Sequence, residues 1–231
     1  MKTQEEVIAE WNLMAGEWDN VASEYRDQFY KILWEETGID IADASTILKE
    51  QQPFTILDFG CGTGLLVENL VENIPTVNVI CVDAAEEMIL RVQEKIQARG
   101  WNNVQAVCII LSRSETFDAA TKEILNSLKG KVDLIIASSV MSFVPEADVN
   151  KTMEVLSAFL KPGGLFIHSD WPCTDISPEG FTEEKAKALY KAGKLKLKST
   201  AIRKVQMQGE DAKIFVGVAQ APFIETRFFV L

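Results

Sequence analysis

Short apolar runs alternate with amphipathic segments between residues 54 and 170, and this alternation restricts the fold more than any other feature. The runs that predict strands are 54–59, 77–83, 104–111, 132–139 and 165–170. The segments between and after them that predict helices are 65–71, 84–100, 115–129, 145–164 and 182–192. Strands that alternate with helices favour right-handed crossover units and a mostly parallel sheet covered on both faces. The sequence therefore predicts an α/β fold with a doubly wound sheet.

The two ends of the chain carry different patterns. Residues 3–36 repeat apolar side chains at steps of three and four, which predicts helices, with a break at 16–20. Thr3 followed by Glu6 is typical of a capping box at a helix start. Near the other end, two alternating runs at 197–208 and 212–221 predict a β-hairpin. The chain has no Pro/Gly/Ser-rich linker, so we expect one domain.

Charge and composition exclude several classes of protein. The net charge of −11 argues against nucleic acid as the main partner. Residues 181–205 hold eight Lys/Arg against two Glu. Within them Lys194, Lys196 and Lys198 alternate with leucines, which favours a half-buried strand with solvated lysines over an anion-binding patch. No apolar stretch is long enough to cross a membrane, so we expect no membrane association.

The cysteines and the amino-terminal residues indicate the cellular compartment of the protein. Four cysteines are widely spaced and there is one histidine, a pattern that predicts neither a metal site nor a disulfide framework. The first ten residues contain three glutamates and do not resemble a secretory signal. We therefore expect a cytoplasmic protein.

The segment ILDFGCGTGLL, residues 56–66, indicates the kind of ligand. Glycines between a strand and a helix allow a ligand to approach the backbone and the helix amino terminus. A phosphate-binding P-loop would need a lysine after Gly64, and a dinucleotide fingerprint would need a glycine at position 65, but Leu65 stands there. The preceding Asp58 would repel a pyrophosphate and attract an ammonium group. The loop therefore favours a ligand with an amino-acid-like end.

Asp83 adds a second requirement on the ligand. It ends the second predicted strand, nineteen positions after Gly64. An acid at this distance can hydrogen-bond both hydroxyls of a ribose. A ligand with an amino-acid end near the loop and a nucleoside at the second strand is S-adenosylmethionine.

Four segments in order then resemble one family. They are 56–64 (the glycine loop), 81–88 (CVDAAEEM), 132–145 (VDLIIASSVMSFVP) and 160–171 (LKPGGLFIHSDW). Together they resemble the motifs of class I S-adenosylmethionine-dependent methyltransferases. The likeness is strongest to the small-molecule branch similar to the ubiquinone/menaquinone-biosynthesis methyltransferases. The segment WNLMAGEWDNVASEY is similar to the helical lid of that family.

The resemblance implies a Rossmann-like sheet of seven strands with an antiparallel last strand. It also implies a single methyltransferase domain over 1–231, with a helical lid at 1–50 and a core with a carboxy-terminal hairpin at 51–231. The residues expected to bind the cofactor are Trp18, Tyr25, Asp58, Gly60, Cys61, Gly62, Gly64, Asp83, Ala84, Met88, Ser112 and Ser138. Of these, Met88 matches the residue that packs on the adenine, while Trp18 and Tyr25 occupy lid positions.

The sequence departs from the family pattern in two places. No acid ends the third strand to accept the adenine amino group, so Ser112, Ser114 or a backbone carbonyl is expected to replace it. After the fourth strand the chain reads Ala-Ser-Ser-Val at 137–140, instead of the motif that grips planar amide or adenine nitrogens. This argues against glutamine or adenine as the methylated group.

Candidates for the acceptor side follow the fourth and fifth strands. His168 and Asp170 are expected to be catalytic residues. The alternative for His168 is a buried histidine whose hydrogen bonds are made within the core. Met141, Phe143 and Trp171 are expected to contact the substrate. Cys61 is expected to fill space in the loop and not to act as a nucleophile.

The function expected from these residues is methyl transfer from S-adenosylmethionine to a small-molecule acceptor by a monomer or homodimer. Two alternatives remain: a methyltransferase acting on lysine or on the terminal amine of a protein, and a non-catalytic regulator that binds the cofactor. No metal is expected. A dehydrogenase is opposed by Leu65.

Overall fold

A computed structural model describes residues 2–39, 54–175, 178 and 180–223 of the protein. Seven strands form one sheet in the order β3-β2-β1-β4-β5-β7-β6. They are β1 Thr55–Phe59, β2 Asn78–Asp83, β3 Val104–Cys108, β4 Val132–Ser138, β5 Leu160–Asp170, β6 Lys196–Met207 and β7 Glu210–Gln220. Strands β1 to β5 are parallel, whereas β7 is antiparallel to β5 and to β6. The predicted fold class is confirmed.

Helices cover both faces of this sheet. They are α1 Gln4–Met14, α2 Trp18–Thr37, α3 Leu65–Asn73, α4 Glu86–Arg99, α5 Ala119–Leu128, α6 Glu146–Phe159 and α7 Glu183–Ala192. Short 3₁₀ helices follow β3 at Leu111–Thr116 and β4 at Met141–Phe143. One apolar cluster packs α2, α3 and α4 on one face, and a second packs α5, α6 and α7 on the other. None of the described helices has the length and apolar character needed to cross a membrane.

Short sequence motifs explain where α1 begins and where α4 ends. The Thr3 hydroxyl accepts from the Glu6 backbone N–H, and the Glu6 carboxylate accepts from the Thr3 N–H at 2.7 Å, so the predicted capping box is confirmed. Gly100 ends α4 in a left-handed conformation, with φ 64°. Residues 40–50, the last part of the predicted lid, lie outside the described residues.

Some predicted boundaries were wrong. The helix predicted over 145–164 ends at Phe159, because Leu160 already has an extended backbone and pairs with Val132 at the start of β5. Strand β3 stops at Cys108, where the chain turns into a 3₁₀ helix. The hairpin turn lies at Gln208 and Gly209, whose φ values of 52° and 78° suit a tight two-residue connection.

The lysine-rich segment forms the edge of the sheet, as predicted. Leu195 is buried just before β6, whereas Lys194, Lys196 and Lys198 are exposed. Strand β6 is the last strand in the order, and solvated lysines on such a strand discourage pairing with another sheet.

Candidate active site

A cavity of about 210 Å³ opens at the carboxyl ends of the parallel strands and is covered by α1 and α2. It lies where the strand order reverses between β1 and β4, the place where ligands bind in open α/β sheets. The predicted site residues that line it are Trp18, Tyr25, Asp58, Gly60, Cys61, Gly62, Asp83, Ala84, Met88, Ser112, Ser138, Phe143 and Trp171. The predicted residues that do not line it are Gly64, Met141, His168 and Asp170.

The glycine loop adopts a backbone that other residues rarely adopt. Gly60, Gly62 and Gly64 have φ values of 71°, 54° and 79°. A Cβ at Gly60 would overlap the side chain of Val140, and one at Gly62 would lie 3.2 Å from Trp18 Nε1. The first two glycines therefore make room beside the cavity. Gly64 instead precedes α3 and packs on α4.

Asp83 holds this loop in place. Its Oδ2 accepts from the Gly62 N–H at 2.9 Å, and its Oδ1 accepts from the Ala85 N–H at 2.9 Å. Desolvation raises the pKa of Asp83 and outweighs these hydrogen bonds, which lower it. The carboxylate thus shapes the loop that a nucleoside would approach, in addition to lining the cavity.

Asp83→Ala is expected to lower both stability and cofactor affinity. The Gly62 and Ala85 N–H groups would lose their acceptor, and removal of a buried charge would offset part of that loss, so the free energy of unfolding should fall by about 1–3 kcal/mol. Affinity for S-adenosylmethionine should fall at least about tenfold, as one charge-assisted hydrogen bond contributes that much. Chemical denaturation and calorimetric titration would measure the two effects. Glu87→Ala, which removes an exposed carboxylate on α4, is the matched control. If Asp83→Ala bound S-adenosylmethionine as tightly as the wild type, the assignment of Asp83 to the ribose hydroxyls would be contradicted.

Asp58 is a buried carboxyl group without a cationic partner. It is 2% exposed, is the next-to-last residue of β1 and lines the cavity. Desolvation, and then the charge of Asp83, raises the pKa of Asp58 to about 7. Among the described residues no cationic side chain forms an ion pair with Asp58. A ligand that carried an ammonium group would supply the missing charge.

The part of the cavity lined by α4 and by the residues after β3 suits a planar apolar group. Met88 is 1% exposed and lines the cavity, as do Ile110, Leu111 and Ser112 after β3. The Ser112 hydroxyl is buried and has no hydrogen-bond partner in the described structure. Such a hydroxyl can accept from an adenine amino group. The side chain of Ser114, the alternative, lies outside the described structure.

Contacts of helices α1 and α2 with the rest of the protein close the cavity. Trp11 packs edge-on against Trp18 at 4.9 Å and against Phe143 at 5.2 Å between ring centroids. Asn12 Oδ1 accepts from the Glu87 N–H at 3.0 Å, at the start of α4. Trp11 belongs to the apolar repeat of residues 3–36, and such a repeat does not show which partner its side chains contact.

Thr63 and Asp19 join the lid to the glycine loop. The Thr63 hydroxyl donates to the Asp19 carboxylate in the first turn of α2. Lys95 on α4 also pairs with Asp19, at 2.9 Å. Thr63 and Lys95 are far from Asp19 in the sequence, so the spacing of residues along the chain could not predict these contacts.

A cluster of hydroxyl groups joins the lid to the ends of β4 and β5. The Tyr25 hydroxyl lies 3.1 Å from Ser138 Oγ and 2.9 Å from Ser169 Oγ, and the two serines are 3.0 Å apart. Burial raises the pKa of Tyr25, and its hydrogen bonds to the serines lower it. Ser139, which lines the cavity, and Ser169 were not among the predicted site residues. Their positions at the ends of neighbouring parallel strands were the available signal.

His168 and Asp170 lie outside the cavity, on the other side of β5 from Ser169. His168 is fully buried, its Nδ1 is 2.6 Å from the Tyr190 hydroxyl, and burial lowers its pKa to about 3. Asp170 accepts from the Ser142 hydroxyl at 2.6 Å, and burial raises its pKa to about 6. We assign both residues structural roles. Met141 is likewise a buried core residue.

His168→Gln is expected to reduce the loss of stability in acid. Between pH 6.5 and about 3 the unfolded chain binds a proton at His168 that the folded protein does not, so stability falls as the pH drops through this window. The wild type should lose about 3 kcal/mol more than the variant between pH 7.5 and pH 4.5. Denaturation at both pH values would measure this, and cofactor affinity at pH 7.5 should stay unchanged. Equal losses in the two proteins would contradict the assignment.

Comparison with known proteins shows which proteins the chain is similar to. Residues 57–166 match the family model described as a methyltransferase domain. The chain is 27% identical over 135 residues to malonyl-(acyl-carrier protein) O-methyltransferase 2 of Ilyobacter polytropus, covering 58% of this chain and 44% of that protein. It is also 27% identical over 134 residues to the tRNA N(3)-methylcytidine methyltransferase of Schizosaccharomyces pombe, covering 58% and 51%. The chain thus spans about half the length of these curated relatives.

A solved structure extends the likeness to nearly the whole chain. Magnesium protoporphyrin IX methyltransferase from Synechocystis with bound S-adenosylmethionine superposes with a TM-score of 0.60 at 15% identity. The match covers 94% of this chain and 97% of that one, and it shows the fold. The strand order and this superposition show the Rossmann-like fold of class I S-adenosylmethionine-dependent methyltransferases, and the segment that matches the family model lies within that fold. S-adenosylmethionine is the methyl donor of that class.

Proposed function

We propose that the protein transfers a methyl group from S-adenosylmethionine to a small-molecule acceptor. The observation that carries this proposal is Asp58, a buried carboxyl group without a cationic partner in the described structure, beside a glycine loop in a covered cavity. A carboxylate in such surroundings is stabilised by a ligand ammonium group. The glycines beside it leave the space that a bound ligand needs.

The residues of the cavity fit the parts of the cofactor in order. Asp58 would bind the amino group and Asp83 the ribose hydroxyls, while Met88 would pack on the adenine. The unpartnered Ser112 hydroxyl would accept from the adenine amino group. When bound, the cofactor supplies a methyl group on a positively charged sulfur.

The chain itself would contribute positioning and exclusion of water. Trp11 and Trp18 pack against each other over the glycine loop, and Phe143 closes the contact from the β4 side. Enclosure by these rings keeps water from the reacting atoms and fixes the acceptor in line. Burial raises the pKa of Tyr25, so its hydroxyl group stays protonated at neutral pH. We therefore assign Tyr25 no role as a general base.

Three observations support a small acceptor, as in the branch similar to the ubiquinone/menaquinone-biosynthesis enzymes. Helices α1 and α2 cover the cavity and leave about 210 Å³. Of the side chains that could contact an acceptor beyond β4 and β5, Phe143, Val144 and Trp171 are apolar. A net charge of −11 disfavours a long contact with nucleic acid.

Transfer of radiolabel from S-adenosylmethionine into a cell extract tests this proposal. The extract would be separated into small-molecule, protein and RNA fractions after incubation with the protein. We expect protein-dependent label in the small-molecule fraction, and much less label with Asp58→Asn at a cofactor concentration that does not saturate the variant. Label confined to the protein or RNA fraction would contradict the small-molecule acceptor. Cofactor binding without label in any fraction would favour the non-catalytic regulator.

A further inference from the structure

Asp170 joins the segment after β4 to the end of β5. Its Oδ1 accepts from the Ser142 hydroxyl at 2.6 Å, and its Oδ2 accepts from the Ser142 N–H at 3.1 Å. Ser142 is the middle residue of the 3₁₀ helix Met141–Phe143, which follows β4. The two hydrogen bonds therefore hold this short helix against the end of β5.

The burial of Asp170 makes these hydrogen bonds strong. Asp170 is 1% exposed, and burial raises the pKa of Asp170 to about 6, so its carboxyl group is ionised at pH 8. A hydrogen bond from a hydroxyl group to an ionised carboxylate is about twice as strong as one between neutral groups. Movement of the 3₁₀ helix away from β5 would leave a buried charge without these donors, which opposes the movement.

Phe143, the next residue of the same 3₁₀ helix, contacts the lid. It lines the cavity and packs edge-on against Trp11 of α1, at 5.2 Å between ring centroids. Trp11 packs in turn against Trp18 at 4.9 Å, and the Nε1 of Trp18 would be 3.2 Å from a Cβ at Gly62. A continuous row of contacts therefore runs from Asp170 to the glycine loop.

Helix α1 buries few side chains, so the contacts of its aromatic ring matter for its position. Within α1 only Val7 is buried. Its ion pair from Glu5 to Arg113 is exposed, and exposed ion pairs contribute little. Phe143 is itself 36% exposed and belongs to a helix of three residues. A partly exposed ring on so short a helix keeps one position only if the backbone beside it is held, and Asp170 holds that backbone.

We propose that Asp170 is a positioning residue that holds Phe143 against Trp11 and thereby keeps α1 closed over the bound cofactor. Asp170 does not line the cavity and acts through Ser142. The inference rests on the cofactor site of the proposed function. It goes beyond that function because it assigns the closure of the site to a residue outside the cavity.

The rate at which S-adenosylhomocysteine dissociates tests this inference, because a helix that closes the cavity slows the release of the ligand. Surface plasmon resonance at pH 8 would give this rate for the wild type and for Phe143→Leu, Ser142→Ala and Asp170→Asn. We expect Phe143→Leu to release the ligand about tenfold faster, the effect of losing one aromatic pair. Ser142→Ala and Asp170→Asn should each release it about three- to tenfold faster, the effect of one hydrogen bond.

Double variants separate positioning from a general loss of stability. If Asp170 acts through Phe143, adding Ser142→Ala or Asp170→Asn to Phe143→Leu should not speed release further, because the contact with Trp11 is already lost. Independent effects would multiply instead. Hydrogen exchange of the α1 amides in the complex with S-adenosylhomocysteine should be faster in each of the three single variants. Ser127→Ala, at an exposed position on α5, is the control and should match the wild type in both measurements.

The outcomes distinguish this inference from the proposed function. A wild-type rate of release in Ser142→Ala, or in a folded Asp170→Asn, would overturn the inference, as would multiplied effects in the double variants. Ser142→Ala alters only the side chain of an exposed residue, so it carries the test if Asp170→Asn does not fold. Failure of the wild type to bind S-adenosylhomocysteine would instead overturn the proposed function on which the inference rests.

Discussion

Asp58→Asn is expected to weaken binding of S-adenosylmethionine about a hundredfold. The variant keeps the shape of the side chain but removes the charge that would pair with the ligand ammonium group. Loss of one partner of a buried charge pair costs about 2–5 kcal/mol, and 2.7 kcal/mol corresponds to a hundredfold. Calorimetric titration at pH 8, where Asp58 is ionised, would measure the loss.

The same substitution should stabilise the ligand-free protein at pH 8. The pKa of Asp58 is about 7 in the folded protein and 3.8 as its ordinary value, so ionisation opposes folding above pH 7 by roughly 4 kcal/mol. As the pH falls from 7 toward 3.8 the folded protein binds a proton that the unfolded chain does not. The stability of the variant relative to the wild type should therefore decrease over this window, as denaturation at pH 8, 6 and 4 would show.

The control for Asp58 is Asp118→Asn, an exposed acid at the start of α5, which should leave cofactor affinity unchanged. An Asp58 variant that binds the cofactor as tightly as the wild type would contradict the assignment of the ammonium site. A variant less stable than the wild type at pH 8 would show that Asp58 has a protein partner instead.

Gly60→Ala is expected to abolish cofactor binding and to destabilise the protein by about 3 kcal/mol. A residue with a Cβ at φ 71° costs about 1 kcal/mol in backbone strain. The added Cβ would also overlap Val140, and overpacking of this kind costs about 1–3 kcal/mol. Relief of the overlap would displace the loop from the cavity. Chemical denaturation and calorimetric titration would measure the two effects.

The control Gly130→Ala separates the effect of backbone strain from the effect of the overlap with Val140. Gly130 has a similar φ of 65°, but a Cβ there would meet no atom within 4 Å. This control should lose only about 1 kcal/mol and keep full cofactor affinity. Adding Val140→Ala to Gly60→Ala should restore part of the lost stability. Equal effects of the two glycine variants would show that Val140 does not restrict the loop.

The sequence predicted those parts of the molecule that depend on local periodicity and on short motifs. Alternation of strands and helices predicted the parallel core, and the run of glycines predicted the loop beside the cavity. Both signals are local, since they reflect burial on two faces of a strand and backbone conformations that need glycine. The helix end predicted at position 164 was wrong, because a Pro-Gly-Gly sequence ends a helix and also fits the first, bulged part of a strand.

The parts that were missed depend on contacts between distant segments. Ser169 meets Tyr25 across 144 positions of sequence, and Thr63 meets Asp19 across 44. His168 shows the same limit in another way. Strand alternation placed His168 and Asp170 on one side of β5 but could not show which side faces the cavity, which is the side of Ser169.

Titration of the ligand-free protein with S-adenosylmethionine, S-adenosylhomocysteine and NAD tests the central claim most directly. Calorimetry of the wild type and of Asp58→Asn at pH 8 would give the six affinities that are needed. The proposed site predicts that the first two ligands bind the wild type and that NAD does not, with much weaker binding to the variant. Binding of NAD alone, or of none of the three, would contradict the account and leave a methyltransferase fold without its cofactor site.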